Sequence, residues 1–347
     1  MVVQLAKLKE NSTTWPEPSM IPIPIYKRLV PLLNQSNPFC NFDSVSMKPS
    51  ELIERYSAGE TLFNGLKLPG INLVGADLIG IILNEADLHG ANLLFSYFNR
   101  ANLTQANLVG ANLSGANLSQ ADLSGADLRN ATLHGTLLQG ANLRDTDITL
   151  ATFLDANLIA ADLRGADLSG ATLTGACLRG ANMRQEKKSY YTNLQAANLA
   201  RTDFQGANMK GVDLSRANLM GANLKEANLR DADLRKADLT NANLKGALLT
   251  DTNLTGAKLT GANLTNTNMV RAQLSQAELS DIMAKGAILT HAVLNRANLN
   301  QADLTLTRMN HADLSRANLS GANLTDADLV EAFFARANLM GANLTNA

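Results

Sequence analysis

The sequence feature that most constrains the fold is a five-residue pattern that recurs through most of the 347-residue chain. Residues 111–125 hold three adjacent copies of the form A-[N/D]-L-x-x. The central residue is usually leucine, and the residue two positions before it is usually alanine. Because these two positions stay apolar from copy to copy, the fold must bury both of them in every copy.

A period of five fits neither regular secondary structure. On an α-helix, five residues advance about 500°, so the apolar residues would spread around the whole cylinder. In a straight strand the side chains alternate with period two, so every second copy would face the wrong side. A chain that bends once per copy resets the phase, and every Leu and Ala can then point inward.

The copies form two blocks. Central residues recur at every fifth position from Leu73 to Met183, which makes 23 copies, and from Leu194 to Leu344, which makes 31. Phe63 and Leu68 are in phase with the first block and fit degenerate leading copies.

In these residues the chain resembles the pentapeptide-repeat family, and cyanobacterial members in particular. The resemblance implies an all-β solenoid, a right-handed quadrilateral β-helix in which four repeats close one coil of 20 residues. The 54 copies would make about 13 coils, and a strand spacing of about 4.8 Å would give a rod about 65 Å long. Identical residues recur at intervals of 20, which gives weak independent support for a coil of 20 residues: Arg144, Arg164 and Arg184; Arg296, Arg316 and Arg336.

Two short segments precede the repeats. Residues 1–45 are predicted to form an irregular proline-rich arm, because four prolines between Pro16 and Pro24 are too dense for a helix or a central strand. Residues 46–62 are predicted to hold a short α-helical cap, with Pro49 in its first turn and Gly59 after its end. This segment resembles the capping segment of many cyanobacterial pentapeptide-repeat proteins and would cover the open edge of the first coil.

The β-helix over residues 63–347 is interrupted by an insertion at 184–193, where the register shifts by one. Either one residue bulges from a wall or six residues loop out, and the loop is favoured because residues 187–191 offer no inward leucine. Exposed lysines and tyrosines on a rigidly held loop would suit contact with a partner, whereas the alternative is a tolerated insertion with no role. The candidate contacts are Lys187, Lys188, Tyr190 and Tyr191.

Two columns of like residues are further candidates. Arg296, Arg316 and Arg336 would occupy one corner of successive coils and could contact an anionic partner, unless aspartates such as Asp313 neutralise that wall. His291 and His311 would stack in another corner. A metal there would lack an evident third ligand, so no metal or cofactor is predicted.

Outward apolar residues cluster in the first two coils, and an exposed apolar patch of that size is expected to be in contact with another surface. Our hypothesis is that residues 21–33 pack on it, so that deleting residues 1–45 would raise dye binding and lower solubility; unchanged values would contradict the hypothesis. The outward residues are Val74, Ile79, Ile82, Leu94, Phe95 and Tyr97.

Composition disfavours several functional classes. The formal net charge of −1 gives no general attraction to nucleic acid, and no apolar run is long enough to span a membrane. There is no phosphate-binding loop and no cluster of Cys or His, so an enzyme is not expected. The two cysteines and the N-terminal composition favour a cytoplasmic protein.

Two functions remain. The first is a non-enzymatic protein-interaction scaffold, with a regulatory role as the resemblance implies. The alternative is a DNA mimic that binds a type II topoisomerase (gyrase), as quinolone-resistance members of the family do. Residues 71–347 carry 23 basic and 25 acidic side chains, and this near-neutral charge disfavours mimicry of DNA. The last coil would present an open edge, where two copies could pair end to end as a homodimer or the coil could fray.

Overall fold

The structure is a computed structural model that describes residues 47–187 and 190–347. The predictions for the proline-rich arm, including the packing of residues 21–33, lie outside the described residues. Lys188 also lies outside them.

Parallel β-bridges join residues that are 20 positions apart, for example Asn72 to Asn92 and Asn92 to Asn112. A 20-residue offset means that four pentapeptides close one coil, as the resemblance implies. The residues from Leu62 to Asn343 therefore form a quadrilateral β-helix, right-handed as in the family that the repeats resemble. The bridges start at Leu62 and end at Asn343, so Phe63 and Leu68 belong to true repeats and the rod has about fourteen coils rather than 13.

In residues 47–187 and 190–347 no strand is longer than one bridging residue, because each pentapeptide bends after its central residue. The amide of Leu73 donates to the carbonyl of Asn92 at 2.8 Å, and the amide of Asn92 donates to Ile71 at 2.9 Å. The amide of Ala76 donates back to Leu73 at 3.1 Å and closes the turn, whose third residue, Gly75, has φ +65°. A positive φ at this position is typical of a type II turn.

The core consists of the central residues and the small residues two positions before them. Nearly all of them are fully buried from Leu68 to Leu324, including the phenylalanines Phe98, Phe153 and Phe204. Where threonine replaces alanine, its hydroxyl donates to a nearby carbonyl, as Thr146 Oγ1 does to Leu143 at 2.6 Å. Buried hydroxyls that keep such a partner avoid the cost of desolvation.

The outward residue between the two buried ones is usually Asn or Asp, and the structure explains this choice. Asn112 Oδ1 accepts the amide of Ser114 at 3.1 Å, an interaction that holds the start of the turn. Asn318 Nδ2 also donates to Asn298 Oδ1 one coil away, at 3.0 Å. The same side chain therefore stabilises the turn and ties successive coils together.

One repeat exchanges the volumes of its two inward residues. Ala284 occupies the central position and Ile282 the small one, and both are buried. The total apolar volume inside the coil is kept, as a closely packed core requires.

Among the described residues, helix α1 (Pro49–Ser57) precedes the coils. Proline at its N-terminal end and Glu51 in its first turn suit a helix start. Leu52 is fully buried in the same core as Phe63. Tyr56 packs against that core, and its hydroxyl donates to the carbonyl of Ile79 at 2.8 Å, a group on the open edge of the first coil. The helix therefore covers the first coil.

The last coil differs from the others because its inward residues are only partly buried. Leu329, Phe334 and Leu339 are half-buried and pack on the core from one side. Within residues 47–187 and 190–347, no helix is long and apolar enough to cross a membrane.

Candidate partner-binding surfaces

The insertion is visible in the pairing of the coils. The bridges Asp167 to Asn193 and Asn182 to Asn208 join residues 26 positions apart instead of 20. Glu186, Lys187, Tyr190 and Tyr191 therefore lie outside the parallel pairing of the coils, and Thr192 takes the next small inward position, where it is fully buried.

The inserted residues turn back on themselves as a tight hairpin. Lys187 and Tyr190 form an antiparallel bridge, in contrast to the parallel bridges of the coils. The amide of Tyr190 donates to Lys187 at 2.9 Å, and the amide of Glu186 donates to Tyr190 at 3.3 Å. These two backbone bonds fix the base of the hairpin.

Side chains fasten this hairpin to the wall on its N-terminal side. Glu186 forms ion pairs with Arg144, at 3.1 Å, and with Arg164. The Tyr190 ring lies over Gly165, where an added Cβ would overlap it, and the Tyr190 hydroxyl donates to the carbonyl of Arg164 at 3.3 Å. Glycine at position 165 thus provides the space in which the ring rests.

The charges around the hairpin are consistent with this packing. Burial and the neighbouring Asp145 carboxylate raise the pKa of the Tyr190 hydroxyl. Burial opposes ionisation of Glu186, but the charges of Arg144 and Arg164 outweigh it and lower the pKa of that carboxyl. At neutral pH the hairpin is therefore held by an ionised carboxylate between two guanidinium groups.

The predicted contact residues divide into two groups. Lys187 is exposed and Tyr191 keeps 40% of its surface exposed, so both are free to touch a partner. Tyr190 is half-buried against the wall and supports the hairpin, which differs from the exposed side chain expected from the sequence. Arg144 and Arg164 lie 20 positions apart and therefore in one column, and Glu186 follows in the insertion. This spacing could have indicated that Glu186 forms ion pairs with both arginines.

Replacing Glu186 by Gln is expected to loosen the hairpin, because both ion pairs lose their charge. In the native protein this stabilisation is fully present above the pKa that the Glu186 carboxyl has in the unfolded chain. It is lost as the pH falls through the lowered pKa that this carboxyl has in the folded protein. Trypsin at neutral pH should cleave after Lys187 several-fold faster in the variant. Acid titration followed by NMR should shift the Tyr190 ring signals of the native protein at a midpoint below the ordinary pKa of a glutamate carboxyl.

The matched control is Glu226→Gln, which removes an exposed carboxylate from a corner of the rod. It should leave cleavage after Lys187 unchanged. Equal cleavage of the native protein and the Glu186 variant would show that the clamp does not hold the hairpin.

The three arginines of the C-terminal column occupy one corner of successive coils. Arg296, Arg316 and Arg336 have φ values of 58°, 60° and 61° at the third position of their turns. In the described part of the chain none of them forms an ion pair, and Asp313 instead accepts the amide of Ser315 at 2.9 Å. Neutralisation of the column by direct pairing with that aspartate is therefore not observed.

The histidine column also forms as expected from the spacing. The rings of His291 and His311 stack with their centroids 4.7 Å apart, and His311 Nδ1 lies 3.0 Å from Glu331 Oε2. Among the described residues there is no group of three His, Cys, Asp or Glu side chains arranged to hold a metal ion.

Apolar side chains are exposed near both ends of the rod. In the first coils Val74, Ile79, Phe95 and Tyr97 each expose nearly half of their surface, whereas Ile82 and Leu94 are half-buried. In the last coil, Val330, Phe333 and Met340 are more exposed still.

Comparison with known proteins agrees with this geometry. The family model described as "Pentapeptide repeats (8 copies)" matches overlapping segments over residues 60–185, 191–282 and 285–347. The first interruption between the matched segments, residues 186–190, falls within the hairpin.

A curated relative from Synechocystis sp. (strain ATCC 27184 / PCC 6803 / Kazusa), described as "Uncharacterized protein slr1819", is 73% identical over 157 residues. The match covers 45% of this chain and 47% of the relative, so the chain spans about half the length of the curated relative it matches.

Two solved structures illustrate the similarity. HetL from the cyanobacterium Nostoc sp. strain PCC 7120, a pentapeptide repeat protein involved in heterocyst differentiation regulation, is 29% identical, covering 85% of this chain and 96% of its own, with a TM-score of 0.21. The plasmid-mediated fluoroquinolone resistance protein QnrB1 is 18% identical, covering 62% and 91%, with a TM-score of 0.40. The family match over most of the residues, together with the four-repeat coil, shows that the chain belongs to the pentapeptide-repeat family.

Proposed function

We propose that this protein is a non-enzymatic scaffold that binds a protein partner through the hairpin at residues 186–191. The observation that carries the proposal is the way the hairpin is held. Glu186 and Tyr190 fasten it to the wall, while Lys187 and Tyr191 point into solvent. A contact surface that is already rigid loses little conformational entropy on binding.

The regular walls support a binding role rather than catalysis. Their outward Asn and Asp side chains hold turns and neighbouring coils, as Asn112 and Asn298 do. The outward hydroxyls often belong to the same turns, as when Ser114 Oγ donates to Asn112 at 2.7 Å. We infer that the residues that determine partner specificity lie where the five-residue pattern is interrupted or carries unusual outward side chains. We also infer that the protein acts in the cytoplasm and has a regulatory role through its partner.

The experiment is affinity capture from an extract of the source cell. The test variant is Lys187→Glu with Tyr191→Ala. The control is Lys245→Glu with Met220→Ala, which makes the same change of charge and also truncates one exposed large side chain, at positions in the regular repeats. The partner should be captured by the native protein and the control and lost from the test variant. Equal capture by both variants would contradict binding through the hairpin.

A DNA mimic directed at gyrase is not favoured by the charge of the rod. Mimicry requires a dense row of negative charge, whereas residues 184–347 carry 18 basic and 15 acidic side chains. A gyrase supercoiling assay at micromolar protein should show neither inhibition nor protection; a clear effect would favour the mimic over the scaffold.

We also propose that two copies pair through the coil formed by the last repeats. Leu329, Phe334 and Leu339 are half-buried there, so a second copy could complete their packing. Light scattering coupled to size-exclusion chromatography should give twice the mass of 37.0 kDa, and Phe334→Lys should give the monomer. A native protein that remains monomeric at high concentration would contradict the pairing.

A further inference from the structure

The arginine column borders a shallow groove with an unusual lining. The groove has a volume of about 280 Å³ and is lined by Gln276, Asn295, Arg296, Ser315 and Arg316. All five side chains can donate a hydrogen bond, and none of the five carries a negative charge. The lining comes from neighbouring coils, so the rod's backbone holds the donors in a fixed arrangement.

These donors are unsatisfied within the protein. In the described part of the chain, the polar groups of these five side chains form no hydrogen bond and no ion pair. The carboxylates on the flanking walls make no ion pair with these arginines: Glu278 accepts from Asn298 at 3.0 Å and Asp313 accepts from the amide of Ser315. Among the described residues, the two guanidinium groups therefore face solvent without an ion-pair partner.

The backbone at these arginines is that of the other turns, many of which also hold a residue other than glycine at this position. Arg296 and Arg316 occupy the turn position with positive φ, where glycine is found in many other repeats. An L-residue with a long side chain is disfavoured there relative to glycine. The two arginines differ from the glycines at this position in the charge that they place at the corner of the rod.

We propose that this groove binds an acidic side-chain group, a carboxylate or a phosphate, on a short segment of a protein partner. Guanidinium groups bind both kinds of oxyanion through paired, charge-assisted hydrogen bonds, and Ser315, Asn295 and Gln276 supply further donors. Arg336, one coil beyond Arg316, extends the column, so the three arginines span about 10 Å along the rod. An extended acidic segment of three or four residues covers that length.

Charge favours a peptide over nucleic acid as the occupant. Glu278 and Asp313 stand on either side of the column and would repel a continuous polyanion. A peptide can place one or two acidic groups on the arginines and keep neutral residues over the flanking walls. The inference rests on the proposed scaffold function in one respect, that the segment belongs to the scaffold's protein partner.

The test uses fluorescence anisotropy with three fluorescein-labelled probes on the full chain. These are tetraglutamate, a tetrapeptide with one phosphoserine among alanines, and tetraglutamine as the neutral blank. The test variant is Arg296→Gly with Arg316→Gly. The matched control is Arg201→Gly with Arg216→Gly, which removes two exposed arginines with φ values of 58° and 60° outside the groove.

Because glycine suits the positive φ, both double variants should fold as the native protein does. We expect an acidic probe to bind the native protein and the control, and to bind the test variant at least tenfold more weakly. Binding should weaken as salt is raised, and tetraglutamine should not bind. Comparison of the two acidic probes shows whether carboxylate or phosphate is preferred. Equal binding by the two double variants, or no binding of either acidic probe, would overturn the site.

Affinity capture separates this inference from the proposed function. Loss of both the acidic probe and the partner in the R296G/R316G variant supports the complete inference. Loss of the probe with full capture of the partner overturns the assignment of the groove to that partner and leaves the scaffold function standing. If the native protein binds the acidic probe but captures no protein, the scaffold function fails, and with it the assignment of the segment to a partner.

Discussion

Replacing Phe153 by Ala is expected to lower the free energy of unfolding by about 3–5 kcal/mol, the usual range for a buried phenylalanine. Phe153 is fully buried at the centre of one coil. In a solenoid each coil contacts only its neighbours, so the loss should be concentrated near the substitution. Amide exchange should therefore rise most at Leu133 and Phe153, whose amides donate to Thr152 and Thr172 at 2.7 Å.

The control is Phe95→Ala, because 48% of that side chain is exposed and its ring lies on the outside of the rod, over Gly115. It should change the unfolding midpoint in urea far less than the Phe153 substitution. Similar destabilisation by both substitutions, or a uniform rise in exchange along the whole rod, would contradict a core that is packed coil by coil.

Replacing Leu52 by Asp is expected to detach helix α1, because a carboxylate would have to be buried where Leu52 is fully enclosed. Burying an unpaired charge is far more costly than the stability of one short helix. The first coil would lose its cover and the bond from Tyr56 to Ile79. Amide exchange should rise at Ile82, whose amide donates to Thr61 at 2.8 Å, and the exposed edge should promote association.

Ile53→Asp places the same charge on the same helix at a side chain that is 40% exposed. It should leave the exchange rate of Ile82 and the scattering of the solution close to native values. If Leu52→Asp also left both unchanged, the helix would not act as a cap.

Much of the fold could be predicted from the repeat because the burial of two apolar positions is decided within each group of five residues. A period of five with two apolar positions excludes a helix and a straight strand, and the structure buries the predicted residues from Leu68 to Leu324 almost without exception. The inward placement of both Ile282 and Ala284 could also be predicted, since the summed volume of the two inward side chains stays constant. The number of sides and the handedness were implied by the family resemblance and not by the pattern.

The candidate surfaces were less predictable, because they depend on which side chains meet across coils. The spacing placed the arginine column in one corner, yet it could not show that Asp313 is engaged with the amide of Ser315. Sequence patterns suggested an exposed Tyr190, whereas packing over Gly165 makes it a support. Such contacts arise between residues about 25 positions apart, beyond any local rule.

The most direct test of the scaffold proposal is deletion of residues 186–191. The deletion joins Gln185 to Thr192, restores the 20-residue offset, and requires Gln185 to adopt a positive φ, as Gln105 and Gln120 already do. The variant should unfold at nearly the native temperature and should no longer capture the partner. Capture of the same partner by a folded deletion variant would contradict the claim that the hairpin is required for binding the partner.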